Sequence, residues 1–370
     1  MTQIESENYR RLQRHLDTLP IGYPATESGV ELRILKFLFS PEEVKIALSM
    51  RYIPEPIKKI YRRVKKLGLT LEDLGIILER MFIKGAIRKA SRKKEDGTDE
   101  NIYQLFPLAV GMFEYQVKRI TKEFFEDFEQ YMEEAFRDEF TRTKINQLRT
   151  IPVQKSISPE HNIATYDELK TIFEDAEQIA VSPCICHKGY QLLDKACNSM
   201  PERCFTIDNS ALNAVNRGYG RTITKDEAFS ILLQAQEEGL VIQPGNSKKP
   251  SYICCCCSCC DLLVNLKKLD CPWELITSNY FAEVDVDLCI GCETCVERCI
   301  MDAIQIDNNY AIVEKLLCIG CGNCVVSCSE EAINLHKKEK EVIPPDTSQE
   351  LFLKIMDKRA ELRRKDKGVG

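Results

Sequence analysis

No cysteine occurs before Cys184, and all nineteen fall between Cys184 and Cys328. The partition divides a cysteine-free front half from a thiol-rich back half. Long apolar runs are missing too. A membrane span needs roughly 18 apolar residues, and the longest candidate, Ile253 to Val264, is mostly cysteine and is broken by Ser258 and Asp261. The opening segment, MTQIESENYRRLQRHLDTLP, has no apolar signal-peptide core, so a cytoplasmic location is expected and a membrane span is not. No Gly-x-x-x-x-Gly-Lys-[Ser/Thr] loop is present. The Gly-x-Gly of Arg217-Gly218-Tyr219-Gly220-Arg221 lacks the strand–loop–helix context of a phosphate cradle, so no nucleotide is expected. The four histidines, His15, His161, His187 and His336, are isolated from one another, and no Ser-His-Asp grouping appears. A formal net charge of −6 excludes a uniformly basic nucleic-acid binder.

In a reducing compartment so many cysteines point to metal rather than to disulfides. Their spacing is specific. Cys289-x2-Cys292-x2-Cys295-x3-Cys299 recurs as Cys318-x2-Cys321-x2-Cys324-x3-Cys328, at a constant offset of 29 residues. The repeat extends beyond the thiols: Ile290-Gly291 matches Ile319-Gly320, and Ala303-Ile304 matches Ala332-Ile333. Three cysteines two residues apart wrap three irons of one cubane, and the fourth reaches the other cluster. The expected sets are Cys289, Cys292, Cys295 and Cys328 for one [4Fe–4S] cluster, and Cys318, Cys321, Cys324 and Cys299 for the other. Zinc sites use four ligands, not a duplicated eight.

Upstream lie Cys184-x-Cys186, Cys197, Cys204 and the run Cys254-Cys255-Cys256-Cys257-Ser258-Cys259-Cys260. Six unliganded thiols in seven residues would invite oxidation. The expected metal ligands are Cys184, Cys186, Cys197, Cys204, Cys254, Cys256, Cys257, Cys259 and Cys260. Three readings stay open: a further iron–sulfur cluster, which is preferred because the chain already depends on iron–sulfur delivery; zinc or another structural metal, with His187 as an additional ligand; or redox-active dithiols.

The remainder divides by composition. Residues 28–110 carry capping signals at Ser40-Pro41-Glu42-Glu43 and at Thr70-Leu71-Glu72-Asp73, followed by the Asp96-Gly97 hairpin signal. Helices followed by a charged hairpin are the winged-helix order. Between Arg51 and Lys94 fourteen Lys or Arg stand against four Asp or Glu. Such a basic face suits an acidic redox partner protein or enzyme complex, or, as the lesser reading, DNA. Residues 111–165 read as one long amphipathic helix to about 148 and then a linker. Residues 166–272 read as a mainly helical cysteine-rich domain, with a helix opened by Thr224 and closed by Gly239. Residues 283–338 hold the duplicated motif, and 339–370 form a charged tail with one helix. The fold class expected is α+β and multidomain.

The segment 283–338 resembles bacterial two-cluster ferredoxins, which implies a ferredoxin-like βαβ repeat and one-electron transfer. The proline that usually follows the fourth cysteine is replaced by Ile300 and Ser329; it supplies no ligand. Most of the chain resembles a family of anaerobe proteins of 4Fe–4S ferredoxin type. The residues that carry this are Leu19-Pro20-Ile21-Gly22-Tyr23-Pro24-Ala25-Thr26, Gly111 to Glu114, the Cys-x-Cys pair, Gly239-Leu240-Val241 and Ile253 to Cys260. In that family the cysteine run ends in one more cysteine, where this chain has Asp261. The resemblance implies only electron transfer, with no known substrate; the cysteine pattern itself leads to the expectation of a relay through two clusters to or from a third cysteine-ligated site. Two other functions stay open: a redox-sensing winged-helix regulator, or an oxidoreductase whose middle cluster meets substrate.

Overall fold

A computed structural model describes residues 3–153, 156, 167–260, 267, 272 and 276–366. Asp261, Cys271 and most of the expected 149–165 linker lie outside the described residues. Helix and strand are mixed, as an α+β chain requires, and contacts divide it into two units: Met1–Thr143 with Asn213–Tyr219 and Ile355–Gly370, and Lys144–Leu212 with Gly220–Lys354.

The first unit opens with helices Gln3–Leu16, Val30–Leu38, Pro41–Ala47, Ile57–Val64 and Leu71–Ile83. Ser40 and Glu43 form a reciprocal capping box at the third of these, the Ser40 N–H donating to Glu43 at 2.7 Å. Glu43 is nearly fully buried, which would raise its pKa. Hydrogen bonds from Lys84, the Ser40 N–H and Arg80 outweigh that and hold it below the usual carboxylate value. Thr70 caps the Leu71–Ile83 helix with Asp73 in the same way. Strands Arg88–Lys93 and Asp99–Gln104 then form an antiparallel hairpin, with Gly97 left-handed at its tip, and Glu55–Pro56 adds a third strand beside Asp99–Gln104.

The single long helix expected from residue 111 is not continuous. After a short 3-10 turn at Glu114–Gln116, α-helix begins only at Lys122, where Thr121 accepts from the Phe124 N–H at 3.2 Å, and it runs through a wider turn at Met132–Phe136 to Thr141. Val117 and Ile120 are buried as their spacing suggested, but they sit in turns ahead of the cap. The C-terminal tail is a packed helix, Ser348–Asp366: Ile355 is fully buried, and buried Arg359 donates to Glu139 and Asp17.

In the second unit the cysteine-rich region is not mainly helical. It is built on a five-stranded sheet in the order Arg221–Ile223, Ile179–Pro183, Glu202–Ile207, Tyr252–Cys256, Val241–Pro244, with antiparallel pairing throughout. The strands alternate: Arg203, Phe205 and Ile207 are buried between the half-buried Glu202, Cys204 and Thr206. Helices Leu169–Asp175 and Lys225–Glu237 pack on the apolar face through Phe173, Leu232 and Ala235. Thr224 caps the second of them and Gly239, at φ 76°, ends it, as the sequence requires. The last segment pairs Tyr280–Val284 with Ile333–Lys337, and Ile304–Asp307 with Tyr310–Val313, each antiparallel. Short helices Thr294–Arg298 and Asn323–Ser327 follow the two cysteine loops.

Candidate metal centres

The 29-residue repeat is a repeat of backbone geometry. The Ala311 N–H donates to Cys289 Sγ and the Ala282 N–H to Cys318 Sγ, both at 3.4 Å. The Asp285 N–H reaches the Ala332 carbonyl and the Glu314 N–H the Ala303 carbonyl, both at 2.7 Å. Each contact maps onto its partner by the offset, so the two halves enclose one another around an approximate twofold axis. Gly291 and Gly320 show why the loops need glycine. Both have positive φ, and a Cβ would run into the Asn309 carbonyl oxygen in one half and that of Tyr280 in the other.

The thiols gather across the repeat. Burial pushes the Cys295 thiol up, and Cys289, Cys292 and Cys328 are the neighbouring thiols that add to it. Burial likewise raises Cys324, with Cys321, Cys318 and Cys299 the nearest contributors, and pushes Cys321 up to about 12 with Cys318 and Cys299 beside it. A cavity is lined by Cys299, Cys318, Cys321 and Cys324, with Ala282 and Ile319 among its other walls. Thiols raised by burial and by one another are poor acids until a cation joins them, so metal binding there would release protons. The halves differ in exposure at one position: Cys292 is exposed, whereas its equivalent Cys321 is half-buried.

Upstream the nine expected ligands do not form one site. Cys197, Cys257, Cys259 and Cys260 place their sulfurs within 4.8 Å of one another. Cys257 and Cys260 are 3.0 Å apart, Cys197 is 3.7 Å from each, and Cys259 is 3.6 Å from Cys257 and 3.8 Å from Cys260. The fully buried Arg203 places its Nη2 3.5 Å from Cys257 Sγ and 3.9 Å from Cys260 Sγ, and donates from Nη1 to Ser199. A hydrogen bond from Cys260, with Arg203 nearby, brings the Cys257 thiol down to about 4 against the opposing effect of burial. His187 is no ligand to this group; its Nε2 meets the Cys197 carbonyl at 2.9 Å.

Cys184, Cys186, Cys204, Cys254 and Cys256 form a second group. Cys184 contacts Cys186 and Cys204, and Cys254 contacts Cys204 and Cys256. Hydrogen bonds from Cys186 and Cys204 hold the Cys184 thiol well below the usual range. Cys255 points the other way, into the apolar core beside Ile253. Sequence reasoning missed Arg203. A charge at an inward position of an alternating strand, between Cys197 and Cys260, was the signal available.

Residues 282–305 match the family of 4Fe-4S binding domains, a span that includes Cys289, Cys292, Cys295 and Cys299. A comparison with curated proteins finds no match. The chain thus carries a 4Fe-4S binding domain and a separate cysteine-rich, cluster-like region, which together suggest iron–sulfur electron transfer. Among the described residues no helix is long and apolar enough to cross a membrane.

Proposed function

We propose that the protein carries single electrons through two [4Fe–4S] clusters to or from its cysteine-rich domain and a partner redox enzyme. The observation that carries this is the duplicated motif folded into two matching loops whose thiols gather across the repeat. One cluster takes Cys289, Cys292, Cys295 and Cys328; the other takes Cys318, Cys321, Cys324 and Cys299. Backbone N–H groups on Cys289, Cys318 and Cys299 would help set the potentials. The donor set fits: all eight ligands are thiols, and a cavity lies among the four sulfurs of the second set. Bound clusters supply one-electron storage; the chain supplies burial, N–H···S bonds and position. The second set borders the cysteine-rich region, since Asn323, next to Cys324, donates to the Gly239 carbonyl at 2.7 Å. Arg298, next to Cys299, donates to the Glu237 carbonyl at 2.8 Å.

The Cys197, Cys257, Cys259 and Cys260 site suits one tetrahedral ion of the zinc class better than a cluster. A metal–sulfur length of about 2.3 Å in tetrahedral geometry sets sulfurs about 3.8 Å apart, against 3.0 to 3.8 Å in five of the six sulfur pairs here and no more than 4.8 Å in the sixth. A cubane binds its thiolates at four separate irons and spreads them farther.

For the front unit, helices followed by a hairpin with a third strand support a winged-helix reading. The exposed positions of the Leu71–Ile83 helix are Leu71, Glu72, Asp73, Ile76, Arg80 and Ile83, with Arg80 engaged by Glu42 and Glu43. An acidic and apolar face would repel a phosphate backbone. This favours docking of a redox partner over DNA binding, and duplex binding that falls steeply with salt would overturn that preference. The electron-transfer reading is tested by iron and sulfide content with electron paramagnetic resonance (EPR) of the reduced protein.

A further inference from the structure

The Glu202–Ile207 strand lies between the two thiol groups of the cysteine-rich region. Arg203 points to the core side with Cys257 and Cys260, and Cys204, one residue on, stands on the opposite face. On that face the strand register sets Ser182, Cys204, Cys254 and Gln243 in one row across four adjacent strands. Cys256 follows two residues along from Cys254, on the same face. Cys184 is fixed just beyond its strand by its N–H, which donates to the Pro201 carbonyl at 2.9 Å, and Cys186 begins the next helix beside it. Cys184 adjoins Cys186 and Cys204, and Cys254 adjoins Cys204 and Cys256, so the five thiols gather on this face.

A second observation points to a ligand there. Gln243 is fully buried, yet neither its amide nitrogen nor its amide oxygen has a hydrogen-bond partner among the described residues. A buried amide without a partner is costly, and such groups in folded proteins are nearly always satisfied. Gln243 is the register partner of Cys254, so its side chain rises from the sheet beside that thiol. A group that accepts an N–H at this place would satisfy the amide nitrogen.

We infer that Cys184, Cys186, Cys204, Cys254 and Cys256 bind an iron–sulfur cluster of their own, separate from the tetrahedral ion, with the Gln243 amide donating to a cluster sulfur. The inference rests on the proposed iron–sulfur electron carrier. It names the site where electrons from the C-terminal clusters go. The Gln243 strand begins two residues after Gly239, the residue bonded to Asn323, and pairs Val241 with Cys256. A chain of covalent and hydrogen bonds therefore runs from the second ferredoxin-type set to the five thiols.

The test uses the full chain, prepared anaerobically and reconstituted with iron and sulfide, with iron, sulfide and zinc measured per molecule. Two cubanes account for about eight irons. The wild type is expected to hold more, with one zinc, and the C204S/C254S double variant to fall to about eight irons while keeping the zinc. The retained zinc and retained C-terminal EPR signal show that the variant is folded. Q243L is expected to keep the iron and shift the EPR signal of the additional cluster; an unshifted signal removes Gln243 from the site. About eight irons in the wild type, with these five thiols alkylated by iodoacetamide in the loaded protein, would overturn the inference. So would a second zinc in place of the extra iron, or a Cys204–Cys254 disulfide found in the loaded protein by mass spectrometry. Fewer than eight irons would instead strike at the two C-terminal clusters.

Discussion

Replacing Arg203 by Met tests whether the four-sulfur site holds a metal whose charge the chain must balance. A divalent ion with four thiolates carries a net charge of about −2, and Arg203 is the guanidinium set against it, 3.5 Å from Cys257 Sγ and 3.9 Å from Cys260 Sγ. At such distances a full charge interaction is worth about 4 kcal/mol at an effective dielectric of about 20. Removing Arg203 also relieves the cost of burying it, so the net loss should approach that of a charged hydrogen bond, about 2–3 kcal/mol. That corresponds to metal binding weakened roughly 30- to 150-fold. Competition against a chromophoric zinc chelator would measure it, with R203K falling between because it keeps the charge but not the planar fork. The loss should widen at acid pH. Cys257 is depressed to about 4, so its contribution to metal-free stability is complete above the ordinary thiol pKa and is lost as pH falls through about 4. Without Arg203 that loss begins at higher pH. Affinity unchanged within about threefold, at a roughly 1.4 kcal/mol-per-decade scale, would refute the site's assignment.

Other outcomes follow from the same geometry. Iron of the two C-terminal sets should leave in two kinetic phases under a chelator, the first from the set that includes exposed Cys292 and the second from the set in which its equivalent Cys321 is half-buried; a single phase would contradict the difference in exposure. Gly320→Ala places a Cβ against the Tyr280 carbonyl at positive φ, so about 1–3 kcal/mol of strain is expected, with selective loss of the slow-phase iron; full retention would show that the loop tolerates it. Glu43→Gln should cost about 2 kcal/mol in urea unfolding at neutral pH. Because the Glu43 pKa is lowered in the fold, its contribution is present above the ordinary carboxylate value and fades as pH falls below it. Wild type and variant should therefore converge in acid, and a difference that persists there would refute the ion-pair account.

Much of this was legible in the chain because it is local. Ser40, Thr70, Thr224 and Gly239 mark helix ends through their own side chains or backbone, and each does so in the structure. The eight repeated cysteines were legible because a loop of fixed length must present them. What was missed depends on pairing between distant segments. Nothing local shows that Cys254 faces Cys204, which follows from the register between Glu202–Ile207 and Tyr252–Cys256, or that Cys257 meets Cys197 sixty residues away. The sheet itself was missed because thiols obscure the apolar alternation of the strand they occupy. The broken helix after Gly111 was missed because Val117 and Ile120 are buried at helical spacing without being helical.

The most direct test of the electron-carrier reading is iron and acid-labile sulfide per chain in anaerobically purified protein, with EPR of the dithionite-reduced form. Two cubanes predict at least about eight irons with matching sulfide, and a reduced signal broadened by coupling between neighbouring clusters. About four irons, or a single uncoupled signal, would contradict it.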